Sequence, residues 1–153
     1  MNDVFLGTQA PLAADAVLLL EIAMGIGLLA GAWLARAKRY RQHAWCQSAV
    51  VLLNLAVIAV TMVPSFRMQV LPRISAKLTR SYFALATAHA ALGSVAEILA
   101  LYILLAAGTR LLPGRLRIQR YKLWMRTVLV LWWLVLFLGF ATYARWYVPN
   151  FFR

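Results

Sequence analysis

The sequence predicts an all-α integral membrane protein, folded as a four-helix antiparallel transmembrane bundle. Three observations predict it. First, 64% of the 153 residues are hydrophobic and only 13% are charged, against about 45–50% and 25% in soluble domains. Second, the apolar residues fall into four runs. Each is long enough to cross about 30 Å of hydrocarbon, which takes ~20 helical residues. Third, most of the basic residues gather between the runs. Lipid offers no partner to a free backbone group, so a span is helical or belongs to a closed barrel, and four strands cannot close one.

The composition excludes other classes. A disordered chain needs low hydrophobicity. Sixteen Lys/Arg against four Asp/Glu give a net charge of +12, yet so apolar a chain has too few polar residues to cover a soluble nucleic-acid binder. No aromatic-interleaved recognition motif is present either, so nucleic acid is not an expected partner. Cys46 stands alone, which excludes an internal disulfide, and no Cys-x-x-Cys-His offers covalent haem attachment. No linker or shift in composition divides the chain, so residues 1–153 read as one transmembrane domain.

The first helix is expected over residues 14–35. Asp3 and Asp15 precede it, no basic segment opens it, and no small-residue cleavage site separates it from Arg36. It therefore reads as a retained span and not a signal peptide. The second is expected over 44–66, with Pro64 and Pro72 bracketing the turn that follows. The third is expected over 82–107, ended by the turn Leu112-Pro113-Gly114. The fourth, over 123–147, carries Trp132-Trp133 in a nearly featureless run that suits lipid or a partner. Tyr121, Trp124, Trp146 and Tyr147 suit the interfacial belts. Short connections make consecutive helices antiparallel neighbours.

Orientation follows from basic residues. Arg36, Lys38, Arg39 and Arg41 lie in the first connection. Arg110, Arg115, Arg117, Arg120 and Lys122 lie in the third, with Arg126 just inside the fourth helix. The opposite side holds the smaller set: Arg67, Arg73, Lys77, Arg80, Arg145 and Arg153. The first and third connections are therefore expected in the cytoplasm and both termini outside, in a bacterial inner membrane. The same basic residues attract anionic lipids.

Ionisable groups inside a span are costly and usually face the bundle interior. Glu21, His89 and Glu97 are such groups, and Asn54 is an uncharged companion. At 1.5 Å per residue, Glu21 and His89 each lie about 10 Å below the outer helix ends. They are expected within hydrogen-bond or one-water reach. Asn54 and Glu97 lie about 12–15 Å from the cytoplasmic side and can form a second polar level. His89, Gly93 and Glu97 share one helix face, flanked by Ala86, Ala90 and Ser94, so a backbone or flat ligand can approach. An imidazole there can ligate haem iron, hydrogen-bond a quinone or relay protons; it can also simply pin the bundle. His43 opens the second helix at the cytoplasmic side, where a solvated histidine is ordinary. With His43 about 20 Å from His89 in depth, the two cannot ligate one haem.

Ala23, Gly27, Gly31 and Ala35 form a small-residue stripe on the first helix. Glu21 lies about 200° from Ala23. If Glu21 faces inward, the stripe faces another subunit; alternatively both faces are internal because a neighbour wraps the helix. No catalytic set emerges. Two histidines at different depths and one cysteine make no zinc or copper set. Gly25-x-Gly27 sits mid-helix and is no phosphate loop. No activated nucleophile is present.

Arg36 to His43 is a basic loop ending in a histidine that opens a helix. Phe83-Ala84-Leu85-Ala86-Thr87-Ala88-His89 places a histidine in the outer third of the next-but-one connection's helix. A basic turn follows, then a last helix with a Gly-x-x-x-Tyr stretch from Gly139 to Tyr143. Over about residues 30–147 this resembles the small bacterial membrane proteins grouped as domain of unknown function family 420, the YozB/CtaM-like proteins. The resemblance implies a role in biogenesis of haem–copper terminal oxidases, or work beside them. His43 and His89 match the family's first two histidines. A third is expected where the last helix begins; this chain reads Arg120-Tyr121-Lys122 there, with Tyr121 in its place. That departure shifts weight from metal or haem handling towards a structural role.

Three functions compete. The first is a non-catalytic accessory or assembly subunit of a membrane electron-transport complex, with other membrane subunits as partners. The second is a haem- or quinone-binding anchor using His89; His89-x-x-x-Gly93 followed by Tyr102 is similar to the anchor helices of succinate dehydrogenase, without the second ligand. The third is a small transport or proton-relay protein using Glu21, His89 and Glu97, although no internal repeat or broken helix favours transport.

Overall fold

The computed structural model describes residues 7–73, 80–109, 112–113, 115 and 119–148. Among the residues that carried the sequence argument, Asp3, Lys77, Arg110, Gly114, Arg117 and Arg153 lie outside the described residues. Four helices make the fold: α1 (Leu12–Arg36), α2 (Tyr40–Arg73), α3 (Ser81–Gly108) and α4 (Tyr121–Tyr147). All four are long and apolar enough to span a membrane, and the described residues form no strand. The chain is an all-α, four-helix, multi-pass membrane protein. Each helix begins and ends close to its expected limits except α2.

α1 ends in a tight reversal. Arg39 N–H donates to Leu34 O at 2.9 Å and Lys38 N–H donates to Ala35 O at 3.1 Å. These are the paired bonds of a Schellman ending. Lys38 takes the left-handed position, at φ 60°, where glycine is the usual residue. Only Ala37 to Arg39 separate α1 from α2, so the two helices must run antiparallel side by side.

α2 corrects the expectation of a span ending near 66 with Pro64 in the turn. It is regular over Tyr40–Val57 and then widens into π-helical turns at Ile58–Met62 and Phe66–Val70, on either side of Pro64. Val63 N–H reaches back five residues to Ile58 O, and Leu71 N–H reaches Phe66 O. Proline lacks an N–H and its ring crowds the carbonyl four residues earlier. In a membrane such a residue is accommodated by wider turns and side-chain bonds that reuse the freed groups. Thr61 supplies one, its hydroxyl donating to Val57 O at 2.7 Å.

The most extensive packing joins α1 to α2 and α3 to α4, and contacts between α1 and α4 and between α2 and α3 close the ring. The main core contains Met24 and Leu28 of α1, Val50 and Val51 of α2, Ala96 and Ala100 of α3, and Val128 and Trp132 of α4. A smaller cluster sits at the end nearer the chain termini, where Val70, Phe83 and Ala86 meet Phe66, Tyr82 and Trp146. Tyr82 and Trp146 stack with ring centroids 4.6 Å apart, and Trp146 Nε1 donates to Tyr82 O at 3.3 Å. Ile26, Val60, Ile98, Val130 and Phe137 are exposed and form the surface that lipid or a partner covers.

Candidate functional site

Polar side chains join the helices at several levels, taken here from the terminal end inward. The first level was not anticipated as a site. Asp15 is completely buried. Tyr143 OH donates to Asp15 Oδ1 at 2.5 Å, and Thr8 Oγ1 lies 2.8 Å from the same hydroxyl. Tyr143 has one hydroxyl hydrogen, so Thr8 is the donor in the second bond. Gln9 N–H donates to Tyr147 O at 3.1 Å. The segment ahead of α1 is thereby fastened to the end of α4. In the sequence Asp15 served only as a flanking acid. The signal that could have found it is its antiparallel register with Tyr143.

Glu21 and His89 form the second level. Glu21 lies on the α1 face that carries Met24, Gly25 and Leu28, all buried. A Cβ on Gly25 would meet Leu136 at 3.0 Å and Trp133 at 3.7 Å, so this face looks at α4. A Cβ placed on Gly139 of α4 would stand 2.8 Å from Glu21 Oε2 and 2.9 Å from His89 Cε1. Carboxyl and imidazole therefore converge on one bare stretch of α4 backbone, with Oε2 and Cε1 no more than about 5.7 Å apart. They form no direct hydrogen bond or ion pair. His89 Nδ1 instead donates to Val135 O at 3.0 Å. A carbonyl only accepts, so the ring proton is on Nδ1, and Nε2 carries the lone pair in the neutral ring.

The third level joins Asn54 to Glu97. Asn54 Nδ2 donates to Glu97 Oε2 at 2.9 Å. Glu97 Oε1 is buried without a partner among the described residues, as are Thr87 Oγ1 and Trp132 Nε1. A double-mutant cycle of Asn54→Leu and Glu97→Leu is expected to give a coupling of about 0.6–1.7 kcal/mol, the range of hydrogen bonds inside membrane proteins. Unfolding of the four proteins in mixed micelles measures it; additive losses would show the bond to be idle.

The fourth level corrects one sequence reading and decides between two others. His43 is not merely a solvated interfacial residue: it is half-buried and its Nδ1 donates to Gly31 O at 2.8 Å. The stripe Ala23, Gly27, Gly31 and Ala35 does not face another subunit along its length. A Cβ on Gly27 would stand 2.8 Å from Val50, and one on Gly31 only 2.0 Å from Gln47 Nε2. Cys46 Sγ donates to Gly27 O at 3.3 Å and Gln47 Nε2 to Leu28 O at 3.4 Å. The two glycines admit α2, while the Glu21 face packs on α4, so both faces of α1 are internal. Ala23, at the end of the stripe nearer Glu21, is exposed, and Ala35 is half-buried.

The two histidines stand on different levels. Their α1 neighbours, Gly31 and Glu21, are ten residues and so about 15 Å apart. One iron or metal ion cannot take both. Among the described residues no three His, Cys, Asp or Glu gather. Tyr121, standing where the family resemblance expects a third histidine, donates through its hydroxyl to Ala106 O of α3 at 3.2 Å, a bond between helices. Comparison with family models, curated proteins and solved structures returns no match.

Proposed function

We propose that this chain is a non-catalytic accessory or assembly subunit of a membrane electron-transport complex, associated with a terminal oxidase of the respiratory chain. The observation that carries the reading is how its intramembrane polar groups are used. His43, Cys46, Gln47, His89 and Tyr121 each bind a backbone carbonyl of a neighbouring helix, and Asn54 binds Glu97. Such bonds fix helix positions, and among the described residues no three His, Cys, Asp or Glu gather for bond-making chemistry. The family resemblance over residues 30–147 supplies the respiratory context, and Tyr121 in place of histidine favours scaffolding over metal handling. The outward apolar surface of α4, with Val130, Leu134 and Phe137 exposed, suits other membrane subunits. The basic connections suit anionic lipids.

The full-length protein, drawn from its own membrane in mild detergent, is expected to bring down larger redox subunits. A solitary chain would overturn the proposal. The membrane is the bacterial inner membrane, with both termini outside, on the balance of basic residues. In a Cys46→Ser background, a cysteine at position 75 is expected to react with an impermeant maleimide from outside, and one at position 42 is not. The reverse pattern would invert the topology.

A further inference from the structure

We infer that Glu21, His89 and Gly139 form a binding site for the hydroxyl head of a membrane-soluble quinol. Among the described residues nothing hydrogen-bonds the Glu21 carboxyl, although Glu21 is only 8% exposed. Nothing occupies His89 Nε2 either, because Val135 O engages Nδ1 alone. An unsatisfied carboxyl in an apolar medium is costly, and water is scarce at this depth, about 13 Å along α1 from Leu12. No direct bond joins the two groups, and Oε2 and Cε1, the carbon next to Nε2, lie no more than about 5.7 Å apart, so a hydroxyl set between them can meet both. A hydroxyl fits both sides: its hydrogen goes to the Nε2 lone pair and its oxygen accepts from the O–H of a protonated Glu21 carboxyl.

The surroundings select the rest of the ligand. Gly139 exposes bare backbone where a side chain would collide with both polar groups. Ala86 and Gly93 lie one turn either side of His89 on α3, and Trp133 lies beside Gly25 at the same face of α4. Small residues and an indole admit a flat ring. A ligand that reaches this depth, is flat and carries a hydroxyl on an apolar body is a quinol. Nε2 accepts and does not donate, so the oxidised quinone, which has only acceptors, loses that bond. This inference concerns the isolated chain and does not rest on membership of a respiratory complex.

Duroquinol and duroquinone are the probes, titrated anaerobically into the purified full-length protein by calorimetry. Saturable binding of one duroquinol is expected, at least about tenfold tighter than duroquinone, the loss that one hydrogen bond near 1.4 kcal/mol produces. His89→Ala and, separately, Gly139→Val are expected to weaken duroquinol about tenfold or more, while Gly108→Ala, at the far end of α3, whose new Cβ would meet nothing within 4 Å, leaves it unchanged. The comparison of the two probes on the unmodified protein stands even if a variant misfolds. Absence of saturable binding would mean that water alone fills the gap and would overturn the proposal. Equal affinity for the two probes, or unaltered binding in His89→Ala, would overturn it too. So would a Soret band lost in His89→Ala, which would make haem the occupant. Loss of co-purifying subunits would leave this result untouched.

Discussion

Gly31→Leu is expected to be the most damaging single change in the bundle. At this position the Gln47 side chain of α2 lies directly against the α1 backbone. A Cβ would stand 2.0 Å from Gln47 Nε2, 2.9 Å from its Cδ and 3.3 Å from its Cγ. All three atoms belong to one flexible side chain, so Gly31→Ala needs only Gln47 to swing away from Leu28 O. Leucine adds branched bulk that Gln47 cannot yield to, and α2 must move. That movement breaks the His43 bond to Gly31 O and the Cys46 bond to Gly27 O. Overpacking alone costs about 1–3 kcal/mol, and each lost intramembrane bond adds about 0.6 kcal/mol. Unfolding in mixed micelles is expected to rank Gly31→Leu well below Gly31→Ala, and Gly31→Ala below Gly93→Ala. If Gly31→Leu unfolds with the unmodified protein, the close approach of α1 and α2 is wrong.

Tyr143→Phe is expected to loosen the terminal end of the bundle by about 1–3 kcal/mol, the loss of two hydrogen bonds at about 0.5–1.5 kcal/mol each. The phenyl ring keeps the shape, and only the hydroxyl between Thr8 and Asp15 is lost. Thr8→Ala removes a bond between two neutral hydroxyls and is expected to cost less, about 0.5–1.5 kcal/mol. The same variant should free the segment ahead of α1, read as faster proteolysis there. Equal losses for Tyr143→Phe and Thr8→Ala would show that Asp15 does not draw on the Tyr143 hydroxyl.

The four spans were legible because lipid imposes a length and an apolar composition that no turn can imitate. Depth arithmetic also placed Glu21 with His89 and Asn54 with Glu97, since helical rise is nearly constant. Direction was harder. In a soluble helix the polar face marks the outside; here lipid and core are equally apolar, so small residues say where something approaches and not whether it belongs to the same chain. Gly27 and Gly31 were ambiguous for that reason. Pro64 misled because its turn-forming habit in water does not hold where a backbone must stay satisfied. Asp15 was hidden by its own charge, which reads as a flank until a tyrosine from the far end of the chain is seen beside it.

The wide turns of α2 act as a phase shifter. Each one inserts about one residue beyond the regular count, which turns everything after it by about 100°. Before them, α2 presents Gln47 and Val50 to α1. Beyond the first of them, within the second, it presents Phe66 and Val70 to α3 and α4, against Phe83, Ala86 and Trp146. A helix with one uninterrupted winding would keep a single azimuth along its length. The insertion ahead of Pro64 resets which face of α2 meets α3 and α4 in the half beyond it. The azimuth of the half beyond Pro64 is thus set by a residue count partway along the rod, and deleting one residue from 58–62 would rotate Val70 out of its contact without touching a side chain near it.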